Sequence, residues 1–308
     1  MQIAKKERRM AVRARFGVWW RMLRPFTLVA SVAPVLGGTA LAYAHGGFHT
    51  GRFLAFLLAA VLIQSATNMF NEYFDYVRGL DTRDHVGIAG TIVRDGVSPR
   101  VVITLAWMFL ATAVALGLYI SATSSWWVFA VGLACLGVAF LYSGGPLPLS
   151  STPFGELAAG FTMGPVMILL VYYTQTLRVT ATALWVAVPI GILIGAILLA
   201  NNIRDIEADR AGGRHTLPIV LGRGAAVGVL AGSFVLAYAI AVGLVATGRL
   251  TPWALLILLS LPKAWPPVRL FLREREPVRL HPAVKGVAQL LAGFGGLMTL
   301  GLLLSVWV

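Results

Sequence analysis

Long apolar runs separated by short polar segments dominate the hydropathy pattern of this chain. A hydrocarbon core of about 30 Å takes about 20 apolar helical residues to cross. Nine runs approach that length, at approximately 26–45, 52–75, 100–121, 125–142, 153–175, 180–202, 224–247, 251–270 and 284–307. The pattern predicts an all-α polytopic membrane protein, a bundle of about nine transmembrane helices. Pro262, Lys263, Pro266 and Pro267 break up the eighth run, which is expected to be short and to continue along the interface. Pro34, Pro165 and Pro189 fall inside other runs and predict kinks.

Composition agrees with that reading. Hydrophobic residues make up 58% of the 308 positions and charged residues 12%, against about 25% charged in soluble domains. Residues 1–25 form a basic arm, with Lys5, Lys6, Arg8, Arg9, Arg13, Arg15, Arg21 and Arg24 around Trp19 and Trp20. The run that follows is too long for a signal-peptide core, so the arm reads as a cytoplasmic segment against the headgroups. Residues 26–308 are then one transmembrane domain. Cys135 has no partner, which excludes a disulfide framework.

Charge placement decides what the net +13 means. With the N-terminus inside, 22 of the 25 basic residues fall on cytoplasmic segments, and only Arg52, Arg178 and Arg249 lie outside. That bias predicts a cytoplasmic N-terminus and an external C-terminus. It also accounts for the basic character without nucleic acid. All twelve acidic residues fall on the same cytoplasmic side, although the positive-inside rule asks nothing of acids. The functional cavity is therefore expected to face the cytoplasm, in an inner-membrane protein of bacterial type.

Polar residues at two helix ends point to chemistry. At the end of the second run, Asn68, Asn71 and Asp75 are three and four residues apart and share a helical face. Gly79 offers a helix stop, with Asp81 just beyond it. After the sixth run come Asn201, Asn202, Asp205 and Asp209, followed by Arg210 and Arg214. An Asn-x-x-x-Asp element thus recurs 130 residues apart, on the same membrane face. Carboxylate and amide oxygens are hard ligands that suit Mg²⁺, which keeps several waters and bridges to substrate phosphates. Arg78, Arg94, Arg204 and Arg214 are placed to meet phosphate oxygens. Apolar helices beside such a site could hold a hydrocarbon tail, so a lipid diphosphate fits. Ordinary surface ion pairing remains the simpler account of Glu207 with Arg210.

These residues resemble the UbiA family of intramembrane aromatic prenyltransferases. The resemblance runs through Arg24-Pro25-Phe26-Thr27, the Asn71 to Asp81 segment, Ile92-Val93-Arg94, Tyr142-Ser143-Gly144-Gly145-Pro146, Gly155-Glu156 and Asn201 to Thr216. It implies Mg²⁺-dependent transfer of a polyprenyl group from polyprenyl diphosphate to an aromatic acceptor. The Tyr142 turn, with no Lys or Arg over 142–154, is similar to the family's 1,4-dihydroxy-2-naphthoate branch, in menaquinone biosynthesis. Glu72 and the stretch 147–153 depart from the usual pattern. Carried over by residue, Asn71, Asp75 and Asp81 would hold one metal and Asp205 with Asp209 the other. Asn68, Asn201 and Asn202 would support them, and Arg78, Arg94 and Arg214 would contact phosphate. Tyr142 would face the acceptor or the allylic cation. The substrates and membrane lipids are the expected partners; no obligate protein partner is evident. Another acceptor on the same fold (4-hydroxybenzoate, homogentisate, chlorophyllide or glycerophosphate type) and a secondary transporter are the alternatives. A transporter would place its polar site near the bilayer midplane rather than at one face.

Overall fold

The structure, a computed structural model, describes residues 17–79 and 90–307. Most of the basic arm and Asp81 lie outside these residues. No strand occurs among the described residues. In chain order the helices are α1 (Val29–Ala44), α2 (Thr50–Val77), α3 (Thr91–Asp95), α4 (Pro99–Thr123), α5 (Trp127–Ser143), α6 (Gly155–Phe161), α7 (Met167–Thr176), α8 (Ala181–Arg204), α9 (Ile206–Ala211), α10 (Leu217–Leu221), α11 (Arg223–Ala246), α12 (Trp265–Arg273) and α13 (Pro277–Leu304).

Every apolar run of the sequence becomes helix, but the expected count of nine spans is not reproduced by length alone. Among the described residues seven helical stretches are long and apolar enough to cross a membrane, with α6 and α7 joined as one and α12 joined to the segment before it. The other two, α1 and α5, have 16 and 17 residues. The interrupted eighth run is a 3₁₀ helix over Pro252–Lys263 that passes into α12. Pro165 lies in a π-helical turn, Thr162–Val166, between α6 and α7. A proline there has no N–H to give, and the wider turn absorbs the missing bond.

Helix α8 sits at the centre, its apolar stretch 67% buried against 17% for α4, which faces outward. Its wall includes Val186, Ile190, Leu193, Ile194 and Ile197, all within the main core shared with α1, α7, α11 and α13. Lipid tails are as apolar as these side chains, so burial alone gives little drive for helix association, and close backbone packing takes its place. Gly160 and Gly164 meet Gly191 and Gly195 of α8. A Cβ on Gly191 would stand 2.7 Å from the Gly160 carbonyl oxygen, so a side chain there would force α6 away. This contact fixes the start of α6, and Glu156 with it, beside the end of α8.

Helix α2 ends as expected. Its last bonds reach Arg78 and Gly79, and Gly79 takes φ +71°, which a side chain would disfavour. Glu72 points away from Asn71 and Asp75 into a buried position at 1% exposure. Its Oε1 accepts from Thr91 Oγ1 (2.5 Å) and from the Ile92 backbone N–H (2.9 Å). Glu72 thereby holds the first turn of α3 against α2.

Candidate functional site

The polar-end residues of α2, α5 and α8 converge on a cavity of about 330 Å³. Asn68, Asn71, Asp75, Tyr142, Asn201, Asn202, Asp205 and Arg214 all line it. So the two Asn-x-x-x-Asp elements meet across one space. Its other wall is apolar, with Phe56, Ile63, Leu136, Met167 and Leu170. Those five side chains also line a second cavity of about 100 Å³ that reaches Ile120 and Phe129 between α4 and α5. The two cavities share walls and form an apolar path leading from the polar end.

Arg214 joins the clusters. Its Nη2 donates to Asp75 Oδ1 at 2.5 Å and its Nη1 to Asp209 Oδ1 at 3.0 Å. Asp209 is not on the cavity wall itself but stands beside Arg214, nearly buried, and its Oδ2 has no hydrogen-bond partner among the described residues. Burial, only partly opposed by Arg214, pushes its carboxyl pKa up to about 6. Burial works against the charge on Arg214 too, but Asp75 and Asp209 outweigh it and raise the guanidinium pKa. Asp205 occupies the break between α8 and α9, where Arg204 donates to both its oxygens at 2.7 and 2.5 Å. Geometry of that kind is the two-point fork typical of arginine and carboxylate.

The amides are held in different ways. Asn71 Oδ1 accepts from Ser143 Oγ, which ties α2 to α5. Asn202 Nδ2 donates to Glu156 Oε1 at 2.8 Å. Asn201 Nδ2 turns back to the Ile197 carbonyl of its own helix (3.0 Å). Asn68 faces the chain entering α1, donating to Leu23 O (3.1 Å) and Thr27 Oγ1 (3.0 Å).

Arg78 and Arg94 are not brought to the cavity wall. Arg78 donates to the Gly145 carbonyl at 3.1 Å and lies over the Phe74 ring, which draws it to the 143–148 turn. Arg94 is exposed at the end of α3. Conversely, Arg24, Thr27, Ser31 and Gln64 line the cavity without having been assigned a role from spacing. Arg24-Pro25-Phe26-Thr27 stood out as a motif, but its contribution depends on how the entry to α1 folds over α2.

Among the described residues, no three His, Cys, Asp or Glu side chains converge as a ready-made metal site. The donors are instead paired carboxylates and amide oxygens around an opening, with the unpartnered Oδ2 of Asp209 buried just off the wall beside Arg214. That set fits a hard cation sharing its coordination with water and a phosphate ligand.

A cleft with arginine and carboxylate at one end and hydrocarbon walls at the other, within a helical membrane bundle, defines a membrane protein for amphipathic anions. The chain belongs to the UbiA prenyltransferase family, whose pattern matches residues 31–291. It is 46% identical over 288 residues to 1,4-dihydroxy-2-naphthoate octaprenyltransferase of Bacillus subtilis strain 168, covering 94% of this chain and 93% of that one. The fold is similar to the apo structure of a UbiA homolog from Aeropyrum pernix K1, with TM-score 0.67, 15% identity and coverage of 88% and 97%. It is also similar to a UbiA homolog from Archaeoglobus fulgidus bound to GPP and Mg²⁺, with TM-score 0.57, 16% identity and coverage of 91% and 99%.

Proposed function

We propose that this protein transfers a polyprenyl group from polyprenyl diphosphate to 1,4-dihydroxy-2-naphthoate. The allylic C–O bond breaks and diphosphate leaves. A C–C bond forms at the ring carbon that bears the carboxylate, and CO₂ departs from that carbon, giving demethylmenaquinol. The observation that carries the reading is the meeting of two Asn/Asp clusters, linked by Arg214, at the polar end of an apolar cavity. The likeness to the Bacillus enzyme supports the acceptor.

Asn71, Asp75, Asp205 and Asp209 would hold Mg²⁺, together with Asp81, which lies outside the described residues. When bound, Mg²⁺ supplies positive charge that makes diphosphate a good leaving group. The chain's own residues do the rest. Arg214 and Arg204 are already on the wall, and both can turn from carboxylate to phosphate oxygens once the substrate is seated. The Phe56, Leu136 and Leu170 wall receives the prenyl chain and keeps water from the allylic carbon, where it would yield the alcohol. Tyr142, at the junction of polar and apolar walls, presents its ring to the reacting carbons. The charge bias of the loops supports a cytoplasmic opening, an internal N-terminus and an external C-terminus.

The test is an assay of purified protein with Mg²⁺, a polyprenyl diphosphate and a panel of acceptors. The naphthoate should give a product of the mass expected after loss of CO₂, and 4-hydroxybenzoate should give none. Asp75→Ala and Asp205→Ala should each abolish Mg²⁺-dependent diphosphate release while the protein still inserts and folds. Full turnover in either variant would sink the two-cluster reading.

A further inference from the structure

Among the described residues three arginines line the cavity: Arg24, Arg204 and Arg214. Two already have carboxylates, Arg204 with Asp205 and Arg214 with Asp75 and Asp209. Among the described residues no hydrogen bond or ion pair holds the Arg24 guanidinium, and its Nε is buried without a partner. A guanidinium N–H withdrawn from water and left without an acceptor, as at Nε here, is costly, and that cost persists only where something offsets it. The backbone adds to it. Arg24 has φ +48°, in the left-handed region, although the next residue is Pro25. Non-glycine residues seldom adopt that conformation, and such strain gathers at ligand sites.

The surroundings hold the strain in place. Asn68 on α2 donates to Leu23 O and to Thr27 Oγ1, and Thr27 Oγ1 donates to the Arg24 carbonyl at 2.9 Å. Gln64 Nε2 donates to Asn68 Oδ1, and Ser31 Oγ to Gln64 Oε1, both at 3.3 Å. A ladder of neutral polar groups thus runs from the Arg24 turn down the α1–α2 wall of the cavity. Arg24 stands more than 4.0 Å from each carboxylate of the Asp75/Asp209 cluster, since none forms an ion pair with it.

From this we infer that Arg24 binds the carboxylate of the aromatic acceptor, with Ser31 and Gln64 facing its ring hydroxyl. The inference rests on the acceptor class proposed above. A hydroxynaphthoate needs one cation and a few neutral donors and acceptors. The turn over 143–152 carries no Lys or Arg to supply that cation. Holding the carboxylate through Arg24 would orient the ring carbon that bears it, so Arg24 is a specificity and positioning residue as well as a ligand.

The test is equilibrium binding of 1-hydroxy-2-naphthoate and 1-naphthol, which differ only in the carboxylate. Unmodified protein should prefer the acid by at least about tenfold, the usual scale of a charged hydrogen-bonded contact. Arg24→Gln should erase that preference by weakening the acid alone, and Arg24→Lys should restore part of it. Affinity for polyprenyl diphosphate with Mg²⁺ should stay within about twofold in both variants. Equal binding of the two probes by unmodified protein overturns the assignment without any variant. So does a preference kept in Arg24→Gln, or a parallel loss for polyprenyl diphosphate, which would put Arg24 on the diphosphate instead. Unmodified protein that binds neither probe overturns the acceptor reading itself, and this assignment with it.

Discussion

The two Asn-x-x-x-Asp elements have one spacing and two constructions. Around Asn71 and Asp75 the helix continues unbroken to Val77, so both side chains share a face as the 3.6-residue period requires. Around Asn201 and Asp205 the helix stops at Arg204, and Asp205 sits in the break before α9. There Asn201 bonds to its own helix while Asp205 takes both arms of Arg204. Behind each cluster stands a buried glutamate that uses one oxygen and leaves the other unpartnered among the described residues: Glu72 against α3 and Glu156 against Asn202. Equal spacing therefore does not make equal sites. The first cluster is built on one unbroken helix and its Asp75 is met by Arg214 from outside; the second straddles a helix break, and its Asp205 is held by the neighbouring Arg204.

Removing the residue common to both should have the largest effect. Arg214→Leu leaves the nearly buried Asp209 and the half-buried Asp75 without their cation. Stripping one partner from a buried pair costs about 3 kcal/mol or more, and a lost charge contact to diphosphate lowers turnover further. The expected outcome is a fall of at least about 100-fold in kcat, with a lower melting temperature. Turnover close to the parent would mean the clusters work independently.

A second comparison separates the constructions. Asn71 is fixed in place by Ser143 of α5, whereas Asn201 is satisfied within α8. Asn71→Ala should raise the Mg²⁺ concentration for half-maximal activity by about tenfold, the scale of losing a metal-ligand support. Asn201→Ala should raise it by about twofold at most. Equal shifts would show that the two amides do the same job despite their different bonds.

Much of this was legible in the residues, and the limits have physical causes. Hydropathy located the long helices, though not the short ones at 91–95, 206–211 and 217–221, because about 20 apolar residues in a row have few alternatives in a membrane. Spacing alone picked out Asp75, Asp205 and Asp209, since carboxylates at apolar helix ends are expensive and therefore informative. Arginine was harder. Its long side chain can reach in several directions, and Arg78 went to the Gly145 carbonyl and the Phe74 ring instead of the cavity. Arg24 escaped assignment because its position depends on a left-handed turn and on Asn68, 44 residues away, to hold that turn. Glu72 bonds to Thr91 and Ile92 of α3, a partnership that the period of α2 could not reveal.

The smallest effect expected concerns proton binding at the second cluster. Burial raises the Asp209 carboxyl from 3.8 to about 6, with Arg214 opposing the rise. The folded protein then holds this proton more tightly than the unfolded chain does. The resulting stabilisation is complete below the unfolded value and is lost as pH rises through about 6. In Mg²⁺-free buffer the parent protein should lose a few degrees of melting temperature more than Asp209→Asn between about pH 4.5 and pH 7. The asparagine variant has no proton to release over that range, so its profile is flatter. Parallel slopes for the parent and Asp209→Asn would show that Arg214 keeps Asp209 ionised throughout, against the pull of burial.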